Sequence, residues 1–297
     1  MDIRVAHMQN NAKLGIFLMI LTTMVFAVQD GISRHLGSAY NVQMIVMLRY
    51  WFFALFVLTV ARHASGGISQ TAQTSHLWLQ FLRGIILSVE ILIAVLAFTL
   101  LGLIESHAIF ACYPLLIAGL SGPVLGEKVG WRRWSAIALG FIGLLIILRP
   151  GIGVFTLLGL LPLLSAILFA IYGILNRYVA RNDSAETSFF WTGIIGAAVS
   201  SAIGIWYWEP MTGLDWIWMG ILCVSGVIGH WLLIKSYQVA EAGVLQPFAY
   251  LQLVFVTLIG LTVFGEELKL NVVVGTIVVI AAGLFTLRRE RLKARSL

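Results

Sequence analysis

"LTTMVFAVQDGISRHL", residues 21–36, returns in altered form as "LSAILFAIYGILNRYV", residues 164–179. Leu21, Phe26, Ala27 and Arg34 match Leu164, Phe169, Ala170 and Arg177, while Thr22 faces Ser165 and Val28 faces Ile171. A second echo follows in the same order. Glu105 and Glu241 each precede about twenty mostly apolar residues that end in "GE", at Gly126-Glu127 and Gly265-Glu266, and a glycine-containing segment running to arginine comes next. Two echoes in one order make duplication the economical reading, with units at 1–150 and 151–297.

The composition says what is duplicated. Of the 297 residues 60% are hydrophobic and 11% charged, with a mean hydropathy of +0.96; a water-soluble domain carries roughly a quarter charged residues. Apolar runs near the length that crosses a bilayer recur at 14–33, 42–61, 84–103, 105–125, 134–148, 155–176, 187–207, 216–238, 242–264 and 271–287. Continuous apolar runs exclude a barrel, whose strands alternate apolar and polar residues. The fold class expected is all-α and polytopic: ten transmembrane helices as two five-helix repeats around a central cavity. Five is odd, so the second repeat enters the membrane from the opposite side and the halves are inverted, an arrangement that recurs in secondary transporters.

Charge sets the orientation. With the amino terminus in the cytoplasm, 14 of the 19 Lys and Arg fall inside, Arg83 among them, and three outside: Arg34, Arg149 and Lys269. That bias places both termini in the cytoplasm of a multi-pass inner-membrane protein and accounts for the net charge of +6 without nucleic acid. The basic tail "LRRERLKARSL" reads as an orientation signal and lipid contact. The first span is expected to stay uncleaved, since no convincing cleavage site follows it. Cys112 and Cys223 both fall within spans, which argues against a disulfide framework or a metal site. No cofactor is expected.

The paired "FA…R" segments, the paired "GE" motifs and the glycine-bearing helices after them resemble the drug/metabolite transporter superfamily, in its ten-helix EamA group, over residues 14–289. In overall character the chain is similar to the YddG-type aromatic amino acid exporters of that group. The resemblance implies a basket of helices one to four and six to nine around a cavity, with helices five and ten outside it, and export of small organic metabolites. It carries over no catalytic residues.

Ionisable groups at bilayer depth cost roughly 3 kcal/mol on insertion scales and face a bundle interior or wet cavity. Glu90, in "LSVEILIAV", is the deepest acid, either a proton or pathway group or a partner for Arg49. Arg49 suits a substrate carboxylate but equally neutralises Glu90 or Asp30. Asp30 and Arg34 share a helix face four residues apart, which allows a local pair. Asp30, with Gln29 beside it, otherwise lines the outer cavity. Lys235 lies near an inner helix end, where it can reach the interface. His107 and His230 are packing residues or proton switches. Ser165, Phe169, Tyr172 and Asn176 share one inward face of span six, as Gln246 and Tyr250 do in span nine. Tyr113-Pro114 and Gln246-Pro247 mark loosened backbone in the fourth span of each half. Tyr50, Tyr172, Tyr250 and Trp191 are candidate pocket walls.

The expected function is alternating-access export of amino acids, aromatic or apolar, by a monomer in the lipid bilayer, with Glu90 or Asp30 meeting the amine or a coupling proton. A multidrug cation exporter of the same superfamily and a channel-like facilitator are the alternatives. An intramembrane serine protease, built on Ser121 in "GLSGP" with His230 as base, is the remote one.

Overall fold

The computed structural model describes residues 11–126, 131–148 and 157–294. Among these, helices α1 (Ala12–Ala39), α2 (Val42–His63), α4 (Leu77–Leu101), α8 (Leu160–Val179), α9 (Ala185–Gly204) and α10 (Gly213–Val239) are each one continuous rod. A short α3 (Gly67–Thr71) interrupts the polar loop after α2. The fourth span splits into α5 (Leu103–Phe110) and α6 (Tyr113–Leu125), and the ninth into α11 (Ala242–Ala249) and α12 (Leu251–Val263). The breaks lie where the prolines predict them, because Pro114 and Pro247 lack the backbone donor that a continuous helix needs. The peripheral helices are α7 (Trp131–Leu148) and α13 (Leu270–Ala294).

Eight of these spans are long and apolar enough to cross a membrane, and α7 and α13 contain shorter apolar stretches, Ile137–Ile147 and Leu270–Ala282. The chain is a polytopic helical membrane protein. Its outward faces carry large apolar side chains such as Trp78, Trp206 and Leu270, which are mostly exposed and belong against lipid.

Helix α1 packs on α10 and α12, and α8 packs correspondingly on α4 and α6; α2 packs on α9 and α7 on α13. Exchanging the first set of helices for the second maps this pattern onto itself. The two matched pairs that pack on each other, α2 with α9 and α7 with α13, run antiparallel. Gly204, at the end of α9, lies against Gln43 and Met47 at the start of α2, and Gly193 lies against Phe53 and Val57 further along it. Likewise the Asn271 amide, at the start of α13, donates to the Ile147 carbonyl near the end of α7 at 2.9 Å.

Both "GE" glycines adopt the left-handed backbone that glycine tolerates, Gly126 at φ 73° and Gly265 at φ 61°. The motif's glycine therefore has the same backbone conformation in both places. The third span, α4, corrects the sequence reading: it starts at Leu77 rather than residue 84, so Arg83 is a fully buried helical residue and not a loop cation. The 150/151 boundary, Glu127, Arg149 and the last three residues of the tail lie outside the described residues.

Candidate functional site

The side chains that the bilayer penalises most converge. Gln29 and Asp30 from α1, Arg49 from α2, Glu90 from α4, His107 from α5, His230 from α10 and Gln252 from α12 surround one cavity of about 40 Å³, walled by Phe26, Phe98, Phe110 and Phe169. All seven polar residues are buried. Such a space admits a few waters, since one needs roughly 10–15 Å³, and is far below the several hundred that small organic ligands occupy.

The pairings within the cavity decide what each group can do. Arg49 Nη2 lies 3.1 Å from His230 Nε2, and a guanidinium only donates, so this imidazole nitrogen accepts and its proton sits on Nδ1. That Nδ1 and Gln29 Oε1 are buried without a hydrogen-bond partner among the described residues. A buried donor and a buried acceptor left open are costly unless a ligand takes them. Glu90 Oε1 accepts from the Ser165 hydroxyl at 2.6 Å. Asp30 Oδ2 accepts from the Gln252 amide at 2.9 Å and faces His107 Nε2 at 3.0 Å.

These contacts settle alternatives that the sequence left open. Arg49 pairs with His230 rather than directly with Glu90 or Asp30. Asp30 and Arg34 do not form a local pair. Arg34 instead reaches Glu266 and lies 4.2 Å from the Phe264 ring centre, because Glu266 is fixed by the Leu103 and Ile104 amides at 2.7 and 2.8 Å. Those amides open α5, where unpaired N–H groups favour an anion. Arg177, the twin of Arg34, donates to the Tyr237 carbonyl at 3.0 Å.

A second polar cluster lies further along α8. Ser165, Phe169, Tyr172 and Asn176 are all buried on the shared face the sequence predicted, a run of about 16 Å at 1.5 Å per residue. It leads from Glu90 to Arg83, whose Nε donates to Asn176 Oδ1 at 3.0 Å and whose Nη1 donates to Gln80 Oε1. The Gln80 amide in turn donates to Asp183 at 2.8 Å. Tyr113, Tyr250 and Gln246 lie at the helix breaks, with Tyr113 edge-on to Phe169 at 4.9 Å and the Gln246 amide donating to the Tyr237 hydroxyl at 3.3 Å. Tyr50 is fully buried, parallel to Phe53.

Trp191 and Lys235 stand apart from the cavity. Trp191 is half-buried and donates to the Ala72 carbonyl at 3.1 Å, which ties it to the loop after α3; like Tyr50, Tyr172 and Tyr250 it does not line this cavity. Lys235 reaches the interface and pairs with Glu186 at 2.8 Å, as a snorkelling cation does. Ser121, the nucleophile of the protease alternative, donates to the Ala118 carbonyl while His230 is engaged with Arg49, so the two belong to separate clusters.

Sequence reasoning passed over Gln252 and Arg83. Gln252, in "YLQLVF", was a third polar position in the ninth span after Gln246 and Tyr250, and an amide amid apolar residues was its signal. Arg83 was hidden by its place beside the polar loop.

Known proteins give the same architecture a context. The chain is 25% identical over 277 residues to the S-adenosylmethionine uptake transporter of Rickettsia prowazekii (strain Madrid E), covering 93% of each chain. It is 25% identical over 286 residues to the riboflavin transporter of Vibrio cholerae serotype O1, covering 95% of each. One solved crystal structure superposes with a TM-score of 0.65 at 19% identity, covering 96% of this chain and 99% of that one, a likeness of fold. The model of the EamA-like transporter family matches twice, at residues 13–149 and 156–288. This protein belongs to the EamA-like transporter family and is a membrane transporter rather than an enzyme.

Proposed function

We propose that the protein carries small zwitterionic metabolites bearing a flat ring, amino acids or amino acid derivatives, across a bacterial inner membrane by alternating access. The observation that carries this reading is the convergence of Arg49, Asp30 and Glu90 with four phenyl rings on one cavity. Arg49 and the open His230 N–H suit a carboxylate, Asp30, Glu90 and the open Gln29 carbonyl suit an ammonium, and the phenyl rings suit an apolar or aromatic body. S-adenosylmethionine, named for the Rickettsia relative, has this layout: an α-amino acid end, a sulfonium and a purine.

In this reading residues 1–150 and 151–297 are inverted halves with both termini cytoplasmic, and the cavity lies between them. The self-matching helix contacts and the antiparallel matched pairs support that geometry. The site itself has no direction. Export follows from the family resemblance, and uptake is the second reading, favoured by the uptake named for the relatives.

Counterflow tests the proposal. Proteoliposomes preloaded with unlabelled S-adenosylmethionine, L-tryptophan or riboflavin are given the labelled compound outside. Saturable, trans-stimulated accumulation of at least one amino acid type compound is expected. Flux without trans-stimulation marks a channel and removes the carrier reading, while transport of riboflavin alone removes the zwitterion assignment.

A further inference from the structure

Whatever the transported compound, we infer that a groove on the outside of the bundle, between α2, α9 and α10, is a phospholipid site. It takes one acyl chain along its length and an ethanolamine-type head group, a phosphate with a primary ammonium, on the Lys235–Glu186 pair. The groove encloses about 290 Å³, several times the polar cavity. Phe56 and Val60 wall it from α2, Phe189 and Phe190 from α9, and Ile228 and Trp231 from α10. Among the described lining side chains, only Thr71, Glu186 and the Trp231 indole bring polar atoms. Phe56, Val60 and Ile228 are exposed on helices that span the membrane, so the groove opens sideways into hydrocarbon.

Its direction follows from the helices. Because α2 and α9 run antiparallel, the end of α2 at Ala61 and Ala64 meets the start of α9, where Glu186 stands in the first turn. On α10 the wall begins at Val227, and Lys235 lies one turn past Trp231; those eight residues cover about 12 Å at 1.5 Å per residue. The apolar end thus lies inside the span, and the charged end lies near the α10 terminus at Val239. A phospholipid has the same polarity, tail inward and head at the interface. The inner wall keeps the groove apart from the polar cavity: Phe189 packs on Phe53 with centroids 4.6 Å apart, and Phe53 lies nearly parallel to the His230 ring at 6.3 Å.

A chain fills the groove because a void would forfeit the dispersion contacts of its walls. The tail alone selects nothing, since bulk lipid is equally apolar. Selection falls to the head. Lys235 Nζ donates to Glu186 Oε1 at 2.8 Å and to Gln238 Oε1 at 3.3 Å, and lies 4.7 Å from the Trp231 ring centre. An ammonium has three donors, which leaves one for a phosphate oxygen. The Glu186 side chain is 53% exposed and can accept from a second ammonium. Arg62, exposed in the last turn of α2 beside Ala61, adds positive charge at the same end. A glycerol head would bring phosphate to Glu186 without a compensating cation, and a choline head has no N–H to donate to it. Phosphate with a primary ammonium satisfies both members of the pair.

Native mass spectrometry of the full chain in detergent tests this, with phosphatidylethanolamine, phosphatidylcholine and phosphatidylglycerol of identical acyl chains as probes. One phosphatidylethanolamine per chain should bind about tenfold more tightly than either of the others, the scale of one charge-assisted hydrogen bond. Glu186→Gln should erase the preference over phosphatidylcholine, whereas Lys235→Gln should weaken all three lipids. Both side chains are solvent-accessible, so these variants should fold. Val60→Trp, from an exposed position, fills the groove and should abolish the tight binding; Ile228→Trp fills it from the opposite wall and guards against a folding defect in the first. Equal affinity for phosphatidylethanolamine and phosphatidylcholine, tightest binding of phosphatidylglycerol, or tight binding that survives both filling variants overturns the proposal.

Discussion

Arg49 on α2 points its guanidinium at His230 on α10, 3.1 Å away, and so fixes a neutral imidazole whose remaining N–H has no partner among the described residues. A cation with a neutral neighbour keeps its charge available. Replacing Arg49 by Gln should weaken transport of carboxylate-bearing compounds such as L-tryptophan about ten- to a hundredfold, the value of a charge-assisted hydrogen bond of roughly 1.5–3 kcal/mol. A compound without a carboxylate, such as riboflavin, should lose far less. Comparing KM for the two classes in proteoliposomes checks this, and an equal loss for both would show that Arg49 serves packing alone.

On the carrier reading Glu90 contributes charge rather than scaffolding. In Glu90→Gln the side-chain oxygen still accepts from Ser165, so melting in detergent should barely change. Transport of S-adenosylmethionine should fall at least tenfold, because the cavity loses a carboxylate that faces the substrate's cation. Rates measured with and without a pH gradient, if identical to the native protein's, would remove Glu90 from the mechanism.

Arg83 should matter more to folding than to recognition. Its guanidinium is fully buried and its donors serve Asn176 and Gln80, with Asp183 reached through Gln80. Arg83→Met fills similar space but leaves those amide oxygens unpaired, at a cost of about 1–3 kcal/mol. A clear drop in melting temperature is expected, with KM unchanged in whatever protein folds; a change of KM at constant stability would instead put Arg83 in the substrate path.

Gly102 and Glu266 meet at the Arg34 end of the bundle. Gly102 has φ 87°, and a Cβ there would sit 2.9 Å from Glu266 Oε1. Gly102→Ala adds backbone strain of about 1–3 kcal/mol and displaces the carboxylate that joins Arg34 to the start of α5. The end should loosen. A thiol placed at the buried Ser33 by Ser33→Cys should react faster with a membrane-impermeant reagent in the Gly102→Ala background, and an unchanged rate would show that this contact does not hold the end shut.

Periodicity and duplication made the helices legible. "FAVQD" against "FAIYG" registered the two halves, and prolines marked both breaks in advance. The cavity's polar members were readable one at a time, because hydrocarbon penalises each on its own. Which would meet was not readable. Asp30 and Arg34 share a turn of α1, yet Arg34 leaves for Glu266, in the loop after α12, and Asp30 for His107 on α5, since partners from elsewhere in the chain reach them. Arg83 escaped notice for a related reason: composition places the edge of a span where polarity rises, whereas α4 continues about two turns past it and buries an arginine against amides.

Because the broken helix occurs in both repeats, the carrier reading gives the molecule one pivot at Ala111–Cys112 and another at Tyr250. Stiffening either one alone would slow the swing toward one compartment and spare the other. A passive carrier cannot move its substrate's equilibrium across the membrane, so its half-saturation values on the two faces would have to drift apart in compensation, turning a symmetric shuttle into a lopsided one.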